Sequence, residues 1–266
     1  MQNETMFAEE RKVAIVKYVN EHKKCKVGEL CDIFKVSSAT IRNDLNELEN
    51  AGLLKRTHGG AIPVGKAQFE LNSYQKKVER IAQKRAIAKK ALEWVEDGDA
   101  IAIDTGTTTL CFAELLPARK DLTVVTNDIE IASVLEEKTD ANVILIGGRL
   151  RRGFHCSVGA IAHRCMEGLN VDKAFIATNG ISIKNGLTTP NEDLAQMKST
   201  LISIAKQAIL LCDSAKFGQT SFARFADLDD IDAIVTDAGL AERQKHEYEQ
   251  LDLQLDIAEL IQGKGE

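Results

Sequence analysis

The residues best suited to chemistry in the first third of the chain lie between Ser37 and Asn43. Small or hydroxyl side chains at Ser37, Ser38 and Thr40 stand beside Arg42 and Asn43. Small side chains allow close approach to another surface, whereas Arg and Asn can each form two hydrogen bonds with a base edge. Arg can also grip a phosphate. These residue types are therefore candidates for reading the major groove of double-stranded DNA.

Apolar residues around these candidates predict two short helices joined by a tight turn. Helical spacing is found first at Val27, Leu30, Cys31 and Phe34, and again at Ile41, Leu45 and Leu48. Ser37 and Ser38 can cap the second helix, and Gly52 ends its pattern. With its apolar residues facing inward, the second helix leaves the polar candidates exposed, so residues 26–45 have the arrangement of a helix-turn-helix motif. An ordinary helical hairpin with a solvated face is the alternative on periodicity alone.

The flanking segments predict the rest of a winged helix-turn-helix domain over residues 9–64. A broad apolar stripe in residues 9–22 predicts a supporting helix. Residues 53–62 predict a strand, a glycine turn and a returning strand, which together form the wing. Lys55, Arg56 and His58 on this hairpin are available to phosphates or to the minor groove. His58 could instead be an ordinary surface histidine.

A second group of polar residues follows short apolar runs in the remainder of the chain. These runs alternate with helical stretches and cover Ala100–Ile103, Leu122–Val125, Val143–Ile146, Ala174–Ala177, Ile209–Leu211 and Ala233–Val235. Uninterrupted apolar runs with helices between them predict a mostly parallel sheet covered on both faces, an α/β fold. Ligands of such sheets bind beyond the carboxyl ends of the strands. The distinctive polar residues of this region therefore converge on one ligand site.

The stretch Asp104–Thr109 after the first run favours an anionic ligand. Gly106 permits close approach of the backbone, and the threonine hydroxyls are further donors for a phosphate. Threonines that merely cap a helix would explain the same stretch, which matches neither common nucleotide-binding loop. The candidate effector-binding residues are Asp104, Gly106, Thr107, Thr108, Thr109, Thr126, Asn127, Gly147, Gly148, Gly180, Glu192, Lys198, Asp213 and Lys216.

Composition and charge limit the classes of protein to consider. The net charge is −6, but residues 1–95 carry an excess of basic side chains and residues 96–266 an excess of acidic ones. A basic front is expected if only that part meets DNA, although a solvated basic helix explains residues 67–95 equally well. With no apolar run long enough to cross a bilayer and no export signal, we expect a cytoplasmic protein without a membrane partner. The six cysteines lack metal-binding spacing, so we expect reduced thiols, no metal and no cofactor.

The first region resembles the amino-terminal domain of the DeoR family of bacterial transcription regulators. The matching residues are Glu10, Arg11, Val36, Ser37, Thr40, Ile41, Arg42, Asp44, Leu45, Leu48, Gly52, Leu54, Arg56 and His58–Ala61. The family commonly has two successive arginines in the recognition helix, and Asn43 stands in the second place here. Because Asn prefers adenine where Arg prefers guanine or phosphate, the operator sequence or the number of phosphate contacts is expected to differ from those of relatives.

The second region also resembles the DeoR family, whose sensor domain looks like the sugar-phosphate isomerase fold. The residues that match are Asp104–Thr108, Thr123–Asn127, Gly147, Gly148, Gly159, Asp172–Phe175, Gly180, Gly186–Thr188, Lys198, Asp213–Gly218, Thr236 and Asp237. The resemblance implies a repressor of carbohydrate-utilisation genes that a phosphorylated sugar releases from operator DNA. It also implies a homo-oligomer, a dimer or a tetramer, since two recognition helices must reach adjacent half-sites.

These expectations divide the chain into a DNA-binding domain (9–64), a linker (65–82), a sugar-phosphate-sensing α/β domain (83–240) and a carboxy-terminal extension (241–266). The extension could be a surface helix or part of an oligomer interface. The alternative function is an isomerase-like enzyme with an accessory helical domain, in which Asp104, Glu192, Asp213 or Lys216 would move protons. An enzyme does not explain the winged head, so we predict no catalytic residues. An activator in place of a repressor fits the residues equally well.

Overall fold

The computed structural model describes residues 7–50, 53–63, 70 and 73–260. The chain divides into two compact units, Met1–Lys76 and Lys77–Glu266, each with its own core. Within the described residues, no helix is both long and apolar enough to cross a membrane.

The first unit is a small helical domain with a three-stranded antiparallel sheet. Its elements are α1 (Ala8–His22), β1 (Cys25–Lys26), α2 (Val27–Phe34), α3 (Ser38–Asn50), β2 (Leu54–Thr57) and β3 (Gly60–Pro63). The strands lie in the order β1-β3-β2, and β2 and β3 form the predicted wing hairpin. The helix-turn-helix prediction is confirmed by α2 and α3, whereas the pairing of β1 with β3 was not predicted.

Local chemistry explains the turn between α2 and α3. Helix α2 ends at Lys35, which has a left-handed backbone (φ 55°). The Ser37 hydroxyl then accepts a hydrogen bond from the Thr40 N–H at 3.1 Å, so it caps the start of α3. Ile41 and Leu45 of α3 pack with Leu30 of α2 and Ile15 of α1 in one core. The opposite face of α3 is therefore exposed to solvent.

The second unit contains a parallel sheet flanked by helices. In chain order, after α4 (Ser73–Val78), come α5 (Ile81–Ala91), β4 (Ala100–Ile103), α6 (Thr107–Ala113), β5 (Thr123–Thr126), α7 (Ile129–Lys138), β6 (Asn142–Leu145), β7 (Arg149–Arg151), β8 (Cys156–Val158), α8 (Ala160–Met166), β9 (Val171–Ala177), β10 (Gly180–Ser182), β11 (Gly186–Thr189), α9 (Glu192–Ser203), β12 (Ala205–Leu211), β13 (Ala223–Ala226), β14 (Ala233–Asp237), α10 (Glu242–Glu249) and β15 (Gln254–Ala258).

All six predicted apolar runs form strands of one sheet. Among the described residues this sheet has seven parallel strands in the order β15-β14-β12-β9-β4-β5-β6. Alternate residues of β4 enter different cores: Ile101 and Ile103 pack on one face and Ala102 on the other. The prediction of a parallel sheet covered on both faces is therefore confirmed. Two small antiparallel sheets, β7-β8 and β10-β11-β13, were not predicted.

The segments predicted as the linker and as the carboxy-terminal extension both contain regular secondary structure. The predicted linker, residues 65–82, contains helix α4 and the start of α5, and the second unit begins at Lys77. Residues 64–69 and 71–72 lie outside the described residues. The predicted extension, residues 241–266, supplies α10 and the edge strand β15, which pairs in parallel with β14. This strand alternates polar and apolar residues, unlike the uninterrupted apolar runs from which the other six strands were predicted.

Candidate functional site

The predicted groove-reading residues lie together at the start of α3. Ser37, Ser38, Arg42 and Asn43 are exposed, and Thr40 is half-buried. The Thr40 and Ser37 hydroxyls share a hydrogen bond of 2.8 Å, so both contribute to the cap of the helix. The Arg42 guanidinium lies 3.4 Å from the Ser38 hydroxyl. The exposed polar surface needed to meet a base edge is thus present on this helix.

The wing residues divide into free and anchored side chains. Lys55 and His58 are exposed on β2 and on the turn that follows it. Arg56 is half-buried, and its guanidinium donates to the Asn46 side-chain oxygen of α3. The Arg56 N–H donates to Glu49 Oε1 at 2.7 Å, so two contacts tie β2 to α3. Arg56 therefore fixes the wing against the recognition helix, in addition to any contact with DNA.

A buried ion pair positions α3, and sequence reasoning gave its residues no role. Arg11 of α1 binds Asp44 of α3 through two hydrogen bonds, Nε to Oδ2 at 2.7 Å and Nη2 to Oδ1 at 3.2 Å. The Asp44 hydrogen bond raises the pKa of Arg11. Both residues belong to the matched family motif, and their spacing across two predicted helices was the available signal. An arginine and a carboxylate joined by two hydrogen bonds have a fixed relative orientation as well as a fixed distance.

The centre of the sensor site is the carboxyl ends of β4 and β9. Asp104 follows β4 and is fully buried, and Lys198 of α9 donates both to its Oδ2 and to the Ala177 carbonyl at 2.8 Å. The Ala177 N–H also donates to Asp104 Oδ2, at 3.0 Å. Burial raises the pKa of Asp104, while the Lys198 ammonium opposes that rise. Two predicted effector residues from distant parts of the chain thus form one ion pair.

The neighbouring end of β5 supplies an amide and a capping carboxylate. Asn127 is fully buried, and its side-chain N–H donates to the Ser157 carbonyl at 2.9 Å. Asp128, which was not predicted, caps α7 through the Glu130 and Ile131 N–H groups and accepts from the Thr105 hydroxyl at 2.5 Å. The Thr126 hydroxyl donates to the Ile103 carbonyl at 2.7 Å. Thr126 therefore connects two strands and has its hydroxyl engaged inside the fold.

A charged cluster occupies the carboxyl ends of β12 and β14. Asp213 and Asp237 are buried and both face Arg80, at 2.8 Å and 3.6 Å respectively. Lys216 lies 4.0 Å from Asp213. Lys84 of α5 is buried beside this cluster, and burial lowers its pKa to about 8 while Asp213 opposes the change. Asp213 and Lys216 were predicted as site residues, whereas Arg80 and Lys84 were not, because the basic segment that contains them was explained by DNA or solvent. Asp237 was matched to the family but was given no role.

The remaining predicted effector residues lie at several different places in the second unit. A side chain at Gly106 would collide with Ala177 Cβ at 2.9 Å, and one at Gly180 with the Gln219 carbonyl at 2.6 Å, so both glycines serve close packing. Gly148 has a positive φ of 151°. Others lie at the start of α6 (Thr107, Thr108, Thr109), after β6 (Gly147) and exposed in the first turn of α9 (Glu192). The Thr109 hydroxyl donates to the Gly106 carbonyl at 2.9 Å.

Other candidate features of the described chain are separate from this constellation. A cavity of about 400 Å³ is lined by His163, Ala195, Gln196, Ser199, Thr200 and Arg224, and includes none of the predicted residues. The cysteines are free thiols, of which Cys165 is exposed, Cys31 is partly buried and the others are buried. Within the described residues, no group of three or more His, Cys, Asp or Glu could hold a metal ion.

Comparison with known proteins agrees with both halves of the chain. Residues 11–66 match the DeoR-like helix-turn-helix domain, and residues 79–238 match the DeoR C-terminal sensor domain. The chain is 41% identical to the HTH-type transcriptional regulator GlpR of Haloferax volcanii, over 92% of this chain and 95% of that protein. It is 35% identical to the transcriptional repressor GlcR of Bacillus subtilis, over 87% and 89%.

A further relative and a solved structure complete the comparison. The lactose phosphotransferase system repressor of Staphylococcus aureus is 36% identical over 86% of this chain and 91% of its own. A ribose-5-phosphate isomerase in complex with phospho-erythronic acid covers 50% of this chain and 52% of its own, with a TM-score of 0.39 and 20% identity. This distant structural match carries no argument about activity. The curated relatives are transcriptional regulators and not enzymes, so the isomerase alternative is excluded, and the chain belongs to the DeoR family of DNA-binding transcriptional regulators.

Proposed function

We propose that this regulator represses carbohydrate-utilisation genes and releases its operator when a phosphorylated sugar binds at the strand ends of the sensor domain. Relatives over most of the chain support repression, since they include GlcR and the lactose phosphotransferase system repressor. The proposed assembly is a homo-oligomer, because a pair of recognition helices reads two half-sites about one helical turn apart. Cytoplasmic location follows from this function.

The observation that carries the effector proposal is a pair of buried acceptors at adjacent strand ends. Within the described part of the chain, Asp104 Oδ1 and Asn127 Oδ1 are buried and accept no hydrogen bond from the protein. Buried polar atoms are normally paired, and a sugar hydroxyl can donate to a carboxylate or amide oxygen. Because Asp104 is fully buried, direct contact with a sugar requires the residues that cover its carboxylate to move.

A cationic side chain at the same sheet edge suits the phosphate of such a ligand. The Lys216 ammonium is partly exposed beside Asp213. A phosphate dianion offers oxygens to such cations, and its negative charge disfavours direct contact with the carboxylates. A ligand with hydroxyls at one end and a phosphate at the other therefore matches the polar groups that this edge presents.

The ligand is tested by calorimetric titration of the full chain with glucose 6-phosphate, fructose 1-phosphate, ribose 5-phosphate and glycerol 3-phosphate. Each unphosphorylated parent is titrated in parallel. We expect at least one phosphate to bind and its parent to bind far more weakly, with Lys216→Met reducing the difference. Lys206→Met is the matched control, because Lys206 is an exposed lysine paired to Asp172 on β9. Equal binding of phosphorylated and parent sugars would show that phosphate is not recognised.

DNA recognition is tested separately with operator duplexes selected from a random pool. We expect Arg42→Ala to lose about 1–3 kcal/mol of operator binding free energy, and the wild type to show a steep salt dependence from several phosphate contacts. Wild-type binding no tighter to the selected duplex than to random DNA would contradict sequence-specific recognition.

A further inference from the structure

The end of α4 and the turn that joins it to α5 are held on the sensor face at two points. We define residues 77–80 as the strap. The Lys77 ammonium donates to the Glu130 carboxylate in the first turn of α7. Arg80 Nε binds Asp213 at 2.8 Å, and its Nη2 donates to the Ser214 hydroxyl at 2.8 Å. All of these residues belong to the second unit of the chain.

The sheet order places the two anchor points on opposite sides of the proposed effector site. Glu130 comes after β5, whereas Asp213 comes after β12. Strands β9 and β4 lie between β12 and β5 in the sheet. Asp104, at the end of β4, therefore lies between strands β12 and β5, which are three strand spacings, about 14 Å, apart in the sheet. Both anchors are attached to residues that follow the carboxyl ends of strands.

Arg80 is held more firmly than an exposed arginine usually is. Its two carboxylate partners, Asp213 and Asp237, are almost completely buried. Ser214 links them, because its N–H and hydroxyl donate to Asp237 at 2.7 Å and 3.0 Å. The Arg80 backbone has a left-handed φ of 51°, a conformation that is unfavourable for a residue with a side chain. The turn between α4 and α5 thus depends on side-chain contacts with the sensor.

We propose that Arg80 is a positioning residue that couples effector binding in the sensor to the affinity of the DNA-binding unit. The proposal rests on the function proposed above. Lys216 lies 4.0 Å from Asp213, so a phosphorylated sugar that attracts Lys216 changes the ion pairs available to Asp213 and hence its hold on Arg80. The strap responds, and it is continuous along the chain with the segment that leads to the DNA-binding unit. Arg80 acts through Asp213 and Asp237 and does not contact the effector.

The test measures two affinities of the full chain for each variant. Calorimetry gives the affinity for each of the four sugar phosphates named above, and a duplex titration gives the operator affinity with and without them. The variants are Arg80→Ala, Arg80→Lys and Asp237→Asn, which disturbs the same contact from the other side. Lys90→Ala is the matched control, because it removes an ion pair with Glu93 at the other end of α5.

For Arg80→Ala we expect the effector affinity to stay within about threefold of the wild-type value. The factor by which the effector changes operator affinity is expected to fall at least about fivefold, since coupling of this kind spans about 5- to 150-fold. Arg80→Lys should recover part of that factor, Asp237→Asn should lose part of it, and Lys90→Ala should keep it. A merely structural role would weaken effector binding or folding and leave the coupling factor unchanged.

The test distinguishes a failure of the coupling role of Arg80 from a failure of the proposed function. If the probes change operator affinity of the wild type and of Arg80→Ala by the same factor, the proposed function stands and the coupling role of Arg80 is wrong. If Arg80→Ala fails to fold, the same comparison is made with Asp237→Asn, and an unchanged factor there overturns the proposal. If no probe affects the wild type, both the sugar-phosphate function and the coupling that rests on it are rejected.

Discussion

Arg42 and Asn43 are neighbours on α3, but their side chains suit different base edges. Both are exposed, and Arg42 also approaches the Ser38 hydroxyl one turn earlier. An amide side chain pairs with the N6 and N7 atoms of adenine, whereas a guanidinium pairs with the O6 and N7 atoms of guanine. The identity of residue 43 therefore bears on which operator is chosen more than on how tightly DNA is held.

We predict that Asn43→Arg changes the preferred operator. Selection from a random duplex pool should yield guanine where the wild type selects adenine, with about 1–3 kcal/mol of discrimination at that base pair in titrations of the two duplexes. The other positions of the half-site should keep their preferences. An unchanged consensus, with only tighter binding to every duplex, would mean that residue 43 meets the phosphate backbone instead of a base.

The buried Asp104–Lys198 ion pair contributes to stability and also lies in the proposed effector site. Removal of either charge leaves the other buried without its partner, so we predict that Asp104→Asn and Lys198→Met each lower the free energy of unfolding by about 3–5 kcal/mol. The double variant should lose less than the sum of the two. Fluorescence of Trp94, the sole tryptophan and part of the second unit, reports this transition in urea. Additive losses would contradict direct coupling.

At the scale of elements, the buried Arg11–Asp44 pair determines how α3 lies on α1. Leu45 and Ile41 pack in the core on the same helix, but apolar contacts alone tolerate sliding and rotation better than a two-pronged ion pair does. The groove-reading residues project from α3, so an error in its orientation displaces all of them at once. The pair is therefore relevant to DNA binding even though it faces away from the polar surface.

We predict that Asp44→Ala lowers the stability of the first unit by about 3–5 kcal/mol, since the Arg11 charge is left buried. Operator affinity should fall with it. Backbone hydrogen exchange of α1 and α3 in the full chain measures the stability change directly. Glu47→Ala is the matched control, because it removes an exposed carboxylate that also joins α3 to α1 through Lys12. Equal effects of the two substitutions would contradict the importance of the buried pair.

Helix α5 buries a lysine, which gives the sensor a pH-dependent stability. Lys84 donates to the Glu79 carbonyl at 2.7 Å, and its pKa is lowered to about 8 from an ordinary value of 10.5. Between these values the unfolded chain binds more protons than the folded chain, so this lysine makes stability rise as the pH rises from about 8 to 10.5. Below pH 8 the full burial penalty of the charge applies.

We therefore predict that Lys84→Met is most favourable relative to the wild type at pH 7, and that its relative advantage shrinks between pH 8 and 10.5. Urea unfolding monitored by Trp94 at a series of pH values measures the difference in unfolding free energy between the variant and the wild type. The titration of other groups cancels in this difference. A difference that is constant over this range would mean that Lys84 titrates as an exposed lysine does.

The extent to which these elements could be predicted depends on how local their signals are. Helices α2 and α3, and the six apolar strands, have periodic patterns within their own residues, so sequence reasoning located them. Strand β15 has charged and polar residues among its apolar ones, and β1 has only two residues, so each is stabilised mainly by a distant neighbour. The contact between Arg80 and Asp237 also has no local signal, because the two residues are far apart in the sequence.

At the scale of the whole molecule, the basic part of the chain includes the first unit and the start of the second. The basic excess lies in residues 1–95 and the acidic excess in the remainder, which contains most of the sensor. Because DNA repels acidic surfaces, we expect operator contact in the basic part of the chain. Part of that basic excess serves the sensor instead, because Lys77, Arg80 and Lys84 engage groups within the second unit.

Whether a phosphorylated sugar controls DNA binding is tested by a titration of operator affinity. Operator affinity of the full chain is titrated at fixed salt, without ligand and with each sugar phosphate or its parent sugar in excess. We predict that at least one phosphorylated sugar weakens operator binding by about fivefold or more while its parent leaves it unchanged. Operator affinity that is the same with every phosphorylated sugar and with none would contradict the account.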